Sequence, residues 1–104
     1  MKLIYSTNAM REMDEIADYI QQSSPRAALR FLVAVERTAE RLLTFPGFGA
    51  KYESDDPRMS EIRVCLVSEF ERYLPFYRLR SGDVFVERVV LGSRDLPNLL
   101  KEDT

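Results

Sequence analysis

The chain has 104 residues, 45% hydrophobic and 31% charged, which predicts one globular domain over residues 1–104 rather than a disordered chain. Its single cysteine, Cys65, and its lack of histidine exclude an intramolecular disulfide, histidine-dependent catalytic triads and the usual zinc sites, so we expect no metal and no cofactor. The formal net charge of −2 argues against a protein whose main role is to bind nucleic acid directly.

The first elements are a short strand and an amphipathic helix. The run KLIYS predicts a strand over residues 2–6, and Ser6, Thr7 and Asn8 carry side-chain oxygens that can cap a helix. Charged side chains, Glu12 among them, are expected on the solvent side of this helix, which ends near QQSS. The buried side is predicted from apolar residues at helical spacing: Met13, Ile16, Ala17 and Ile20.

A second helix follows after a tight turn. Ser24 is the expected N-cap, and Pro25 suits the first helical position because its missing N–H is not needed there. The motif F-P-G-F-G at 45–49 predicts the end of the helix. The buried stripe comprises Ala28, Phe31, Leu32, Val35, Ala39, Leu42 and Leu43.

The second half of the chain predicts a loop over 50–60 and three strands. The strand segments are 61–67, 72–80 and 84–92. Two turns fit the sequence between the last two strands, and we favour Gly82-Asp83 over Ser81-Gly82 because it places Arg78 opposite Glu87 and Phe76 opposite Val89.

The element order β-α-α-β-β-β predicts an α+β fold in which an antiparallel helical hairpin packs on one face of a mainly antiparallel sheet. Pro75 favours an edge or a bulge, because proline cannot donate to a sheet ladder. A short C-terminal segment carries Leu96, Leu99 and Leu100. Since two helices cover one face only, we expect a second polypeptide to cover the other.

Six arginines lie between residues 63 and 94, among the valines and aromatic residues of the predicted sheet. Each one alone is explained by a solvated pair with a glutamate, such as Glu69 or Glu87. Taken together, they favour a docking surface, because arginine and tyrosine are the residue types that anchor protein interfaces.

Six short motifs, in this order along nearly the whole chain, resemble the ParE branch of the RelE/ParE toxin superfamily. They are A-x-x-E-M-x-E-I-x-x-Y-I at 9–20, S-P-x-x-A-x-R-F at 24–31, F-P-G-F-G at 45–49, R-x-C at 63–65, F-Y-R-L at 76–79 and R-V-V-L-G-S-R-D at 88–95. The resemblance implies the toxin of a type II toxin–antitoxin pair, which is co-expressed with an antitoxin that wraps it.

The resemblance also bears on the target. In this superfamily, ribosome-dependent RNases cut mRNA, and ParE-like members poison DNA gyrase. The RNases carry a basic residue after the second sheet strand and an aromatic acid or base near the C-terminus. Ser68-Glu69 and Leu100 stand at those positions here, which favours the ParE-like role and a protein without catalytic residues. Only Arg94 keeps a basic position of the RNases.

The partners that the resemblance implies are a cognate antitoxin and DNA gyrase, in a hetero-oligomer with the antitoxin. For antitoxin contact we predict Tyr19, Phe31 and Tyr77. For the target we predict the polar anchors Arg63, Arg78, Arg88 and Arg94. No stretch is apolar for the roughly 20 residues of a membrane span and no secretory signal is visible at the N-terminus, so we expect a cytoplasmic protein.

Two alternatives remain open at this point. One is a RelE-type, ribosome-dependent mRNA endonuclease, for which the candidate residues are Lys51, Arg63, Arg94 and either Tyr73 or Tyr77. The other is a non-toxic family member that has kept only its binding to an antitoxin.

Overall fold

Short apolar segments assemble a five-stranded sheet, and two helices pack on it. The computed structural model describes residues 2–92. The strands are β1 (Leu3–Tyr5), β2 (Ala50–Lys51), β3 (Arg63–Val64), β4 (Tyr73–Arg80) and β5 (Asp83–Leu91); the helices are α1 (Thr7–Gln21) and α2 (Pro25–Thr44). The strand order is β1-β5-β4-β3-β2, with β1 parallel to β5 and the other pairs antiparallel. The predicted α+β fold is confirmed.

Both helices begin where the sequence predicts. The hydroxyl of Ser6 accepts from the backbone N–H of Ala9 at 2.9 Å, and that of Ser24 accepts from Ala27 at 3.1 Å. Pro25 occupies the first turn of α2, and α2 ends at Thr44, directly before the F-P-G-F-G motif. Each cap satisfies a backbone donor that the first turn of a helix leaves without an intrahelical acceptor.

The helical hairpin covers one face of the sheet, and two apolar clusters form between them. One joins Ala9 of α1 and Leu42 of α2 to the sheet residues Cys65, Tyr77, Val84, Val86 and Val89. The other joins Ala17, Phe31, Ala34 and Val35 to Val67 and Tyr73. In the second cluster Phe31 meets the rings of Phe70 and Tyr73 edge to face, each at 5.4 Å.

The centre of the opposite face is covered by the chain itself, so the expectation that a second polypeptide must cover this face is wrong for its apolar centre. Met59 and Ile62 fold over Phe76 and Val90, and all four are buried. The ring of Tyr52 meets Phe76 edge to face at 5.5 Å. The segment 50–60 was predicted as a polar loop, but two of its few apolar side chains, Tyr52 and Met59, pack against this face of the sheet.

The first strand of the predicted three is shorter than expected. Pairing is regular only at Arg63 and Val64, where 61–67 was predicted. At the next position the N–H of Cys65 donates to the carbonyl of Pro75 at 3.1 Å, and proline has no N–H to donate back. The ladder therefore ends there. On the other side of β3, the strand β2 forms within the segment that was predicted as a loop, and it pairs with β3.

The turn between β4 and β5 is Ser81-Gly82, and the favoured Gly82-Asp83 turn is wrong. Arg80 pairs with Asp83, and both Ser81 and Gly82 have positive φ, 54° and 82°. Positive φ at both central residues is the two-residue hairpin turn whose twist matches that of the strands.

The register differs from the prediction as a consequence of this turn. Arg78 pairs with Phe85 and Phe76 with Arg88, with a bulge between Phe76 and Tyr77. Arg78 still reaches Glu87, whose Oε1 lies 2.6 Å from its Nε, because Glu87 is two residues after Phe85 on β5 and so lies diagonally across from Arg78. The tail with Leu96, Leu99 and Leu100 lies outside the described residues.

Candidate functional site

One edge of β5 is only partly covered by β1. The pairing of β1 with β5 runs over Val84–Val86, and the N–H of Ser6 donates to the carbonyl of Val86 at 2.9 Å where the ladder ends. β5 continues to Leu91 and stays paired with β4 on its other side. Within residues 2–92 no strand adjoins the remaining edge, and α1 packs beside it instead.

A buried ion pair fixes α1 to this edge. Glu12 Oε2 accepts from Arg88 Nε at 2.9 Å and lies 2.6 Å from its terminal nitrogen. Glu12 Oε1 accepts from the backbone N–H of Val89 at 3.0 Å. One carboxylate therefore satisfies a buried guanidinium and a backbone donor that β1 is too short to reach.

Glu12 was predicted on the solvent side of α1, which is wrong, since this residue is buried. It lies one turn after Ala9 and one turn before Ile16, so it stands at the edge of the apolar stripe. A lone carboxylate at such a boundary position is the signal that could have indicated a buried partner.

A groove of about 710 Å³ lies between α1 and this edge of β5. On the helix side, Arg11, Glu15 and Tyr19 follow one another at intervals of four residues, and Tyr19 is 65% exposed. On the sheet side the lining includes Arg72 and Leu91. An exposed tyrosine beside charged residues of both signs is suited to binding a polypeptide.

The three residues predicted for antitoxin contact are not brought together on the surface. Tyr19 lies in this groove, which is consistent with its predicted role. Phe31 and Tyr77 are completely buried in the two clusters beneath the helices, so neither side chain is accessible to a second protein. Contact of the three residues with an antitoxin stays a prediction.

The arginines predicted as target anchors are engaged within the chain. Arg63 donates to the carbonyl of Gly49 at 2.8 Å, Arg78 pairs with Glu87, and Arg88 is buried with Glu12. These three arginines stabilise the fold, because each neutralises a carboxylate or donates to a carbonyl of the same chain. Arg94 lies outside the described residues, and a role of the four in target binding stays a prediction.

Tyr77 holds the segment that ends α2. Its hydroxyl donates to the carbonyl of Pro46 at 2.8 Å and accepts from the N–H of Gly49 at 2.8 Å. Burial raises the pKa of this phenol. The F-P-G-F-G motif therefore has a second role besides ending a helix. Its second glycine, Gly49, lets the backbone approach the ring of Tyr77 closely.

The other candidate reactive groups differ in their exposure. Cys65 is buried, and burial raises the pKa of its thiol to about 11. Tyr73 is buried, whereas Lys51 is exposed on β2. Residues 2–92 contain no group of three His, Cys, Asp or Glu side chains that could hold a metal ion. None of the helices in the same part of the chain is long and apolar enough to cross a membrane.

The fold has counterparts among known proteins. The chain belongs to the family of ParE toxins of type II toxin–antitoxin systems, parDE, whose model matches residues 3–96. Among solved structures, it is similar to a chain of the chromosomal ParDE toxin–antitoxin system from P. aeruginosa, with a TM-score of 0.70 and 20% identity, over 88% of this chain and 95% of that one. At this identity the likeness shows the fold. A search of curated proteins returned no match.

Proposed function

We propose that this chain is a cytoplasmic toxin that inhibits DNA gyrase without catalysing a reaction, and that a cognate antitoxin neutralises it by binding in the groove between α1 and β5. The observation that carries the proposal is the match to the ParE family over residues 3–96, nearly the whole domain. The absence of histidine from the sequence supports a mechanism based on binding.

The groove supports the antitoxin part of the proposal. A partner segment that lies along it would meet the exposed ring of Tyr19 and the apolar side chains of Ile16 and Leu91, with Arg11 and Arg72 at its rim. Glu12 already accepts from the N–H of Val89, which blunts this edge against unspecific strand addition. Affinity is therefore expected to come from side-chain contacts with a matching sequence.

The surroundings of the phenols weigh against the RNase alternative. Cleavage of RNA needs a proton acceptor within hydrogen-bond reach of a ribose hydroxyl, and cations that stabilise the phosphate. The hydroxyl of Tyr77 is occupied by Pro46 and Gly49, and burial raises its pKa. Arg63 is engaged with a carbonyl. Of the candidates within residues 2–92, Lys51 alone is exposed.

The target is tested with one preparation of the full chain in two assays. Purified toxin is titrated into a gyrase supercoiling reaction and, separately, into ribosomes that translate a defined mRNA, with cleavage read by toeprinting. We expect supercoiling to fall with toxin concentration and the mRNA to stay intact. Discrete cuts in the ribosomal A site with normal supercoiling would establish the RNase alternative. Activity in neither assay would indicate a non-toxic family member.

The antitoxin site is tested by a pair of substitutions on α1. The antitoxin is expected from a neighbouring short reading frame, and its Kd is measured by titration calorimetry. Tyr19→Ala is expected to weaken binding about tenfold, or ~1.4 kcal/mol, since exposed tyrosines anchor interfaces. The control is Met10→Ala, which removes an exposed side chain on the opposite side of the helix. Equal effects of the two substitutions would place the antitoxin elsewhere.

A further inference from the structure

The outward face of α2 carries a concentration of positive charge. Its exposed arginines are Arg26, Arg30, Arg37 and Arg41. At 3.6 residues per turn, the four Cα atoms fall within about 60° of one another around the helix. In a chain with a net charge of −2, this is a strongly basic strip.

The described residues do not neutralise this strip. No carboxylate of residues 2–92 forms an ion pair with any of the four arginines. Glu69 is the one acidic residue of that range in the groove beside them. Two further carboxylates of α2, Glu36 and Glu40, are exposed, and at 3.6 residues per turn they fall on the side of the helix that carries Leu29 and Val33, next to the arginines.

The strip lowers the stability of the helix that bears it. Arg26 with Arg30, and Arg37 with Arg41, are like charges four residues apart, and each such pair costs roughly 0.2–0.5 kcal/mol. Arg26 also lies in the first turn, which contains no acidic residue, where the helix dipole disfavours positive charge. A local arrangement that opposes folding is expected at a surface kept for binding.

Apolar side chains lie beside these arginines in a groove that Ser68 and Glu69 also line. Leu29 is 67% exposed and Val33 46% exposed, one helical turn apart in a groove of about 570 Å³. The strip continues past the end of α2, where Arg41 lies 5.2 Å from the ring centre of Phe48, itself half exposed. The surface therefore combines an apolar floor with a row of guanidinium groups.

We propose that this face of α2 is a docking site for an acidic amphipathic helix of a partner protein. From Arg26 to Arg41 the strip is about 22 Å long, which corresponds to a partner helix of about 15 residues. Apolar residues of that helix would pack on Leu29 and Val33, and its acidic flank would pair with the arginines.

Two other occupants fit the surface less well. A nucleic-acid backbone would neutralise the arginines, but it offers nothing apolar to cover Leu29 and Val33. A second copy of this chain would bring two basic strips together, and like charges across an interface cost several kcal/mol. The inference goes beyond the proposed function, since it concerns a different face from the groove between α1 and β5.

The probe is a labelled, designed peptide of about 15 residues, with leucines along one helical face and glutamates beside them. Its binding to the full chain is measured by fluorescence anisotropy at low and high salt. We expect saturable binding that weakens with salt. The double variant Arg30→Glu/Arg37→Glu is expected to weaken it at least tenfold, and Leu29→Ser severalfold. Urea unfolding of each variant verifies that the fold is kept.

Two matched controls define the site. Arg72→Glu reverses an exposed charge in the other groove and is expected to leave peptide binding unchanged. A peptide with lysines in place of the glutamates is expected not to bind. The proposal is overturned if polyuridylate RNA binds the strip while the acidic peptide does not, if the chain dimerises through α2 in sedimentation, or if Arg72→Glu weakens the peptide as much as the double variant. The gyrase assay has no bearing on these outcomes.

Discussion

Glu12 of α1 and Arg88 of β5 form a buried ion pair whose closest nitrogen and oxygen atoms are 2.6 Å apart. The two residues are separated by 76 positions in the sequence. The same carboxylate also accepts from the backbone of Val89, so it fixes the helix against the sheet edge. The pair therefore holds α1, which forms one wall of the groove proposed for the antitoxin, against β5, which forms the other.

Glu12→Gln is expected to lower the free energy of unfolding by about 3 kcal/mol, because it leaves a guanidinium buried without a counter-charge. The measurement is urea denaturation followed by circular dichroism. The control is Glu15→Gln, three residues along α1, whose pair with Arg11 is exposed on both sides. A surface pair of this kind contributes under about 1 kcal/mol. Similar losses of unfolding free energy in the two variants would show that the buried ion pair is not the cause of the destabilisation.

Gly49→Ala is expected to destabilise the protein by about 1–3 kcal/mol through overpacking. A Cβ atom at this position would lie 2.6 Å from the hydroxyl oxygen of Tyr77 and 2.8 Å from the carbonyl oxygen of Val64. Gly47→Ala, two residues earlier, is the control, because its Cβ would meet nothing within 4 Å. Thermal unfolding compares the two variants, and a loss at Gly47 as large as that at Gly49 would contradict the packing argument.

The burial of Cys65 is expected to make the folded protein less stable at alkaline pH. Burial raises the pKa of its thiol from 9.0 to about 11. The folded chain therefore holds this proton more tightly than the unfolded chain, and the thiol's contribution is fully present below pH 9.0 and lost as the pH rises through about 11. The shift of two units corresponds to a loss of about 2–3 kcal/mol.

The measurement compares the wild-type chain with Cys65→Ala by urea denaturation across this pH range. Burial also raises the pKa values of Tyr5 and Tyr77, so both proteins are expected to lose stability in alkali. The variant should start lower at neutral pH and decline less steeply. Parallel curves would show that the thiol titrates alike in the folded and unfolded chains.

Elements that depend on local chemistry were predicted correctly from the sequence. The starts of α1 and α2 follow from Ser6 and Ser24. The hydroxyl of each serine accepts from the backbone N–H three residues later and so caps the helix. β4 and β5 follow from long apolar runs. β2 and the shortened β3 were missed, because their bounds depend on what pairs with them; Pro75 of the neighbouring strand ends the ladder of β3.

The candidate site was less predictable, because it depends on contacts between distant parts of the chain. Tyr19, one of the three residues predicted for antitoxin contact, lines the groove. The partners of Arg63 and Arg88 were not predictable, since each of these arginines reaches a group that folding brings close. The pairing of Arg78 with Glu87 was predicted, but it forms in a different strand register. The sequence around an arginine in a valine-rich strand is the same whether the arginine binds a partner protein or a carboxylate of its own chain.

The hairpin turn offers a test of the observed strand register, which differs from the predicted one. Ser81 has a φ of 54°, which asparagine adopts more readily than serine, so Ser81→Asn is expected to raise the free energy of unfolding by about 0.5 kcal/mol. Gly82→Ala is expected to lower it by about 1 kcal/mol on conformational grounds alone, because the new Cβ would meet nothing within 4 Å.

Ser60→Asn is the control for this pair of variants, since the φ of Ser60 is −62° and asparagine brings no advantage there. All three are measured by urea denaturation against the wild-type chain. If the turn were Gly82-Asp83, Ser81 would lie in a strand with negative φ, where asparagine is disfavoured. A loss of stability in Ser81→Asn would therefore contradict the turn at Ser81-Gly82 and the pairing of Arg78 with Phe85 that depends on it.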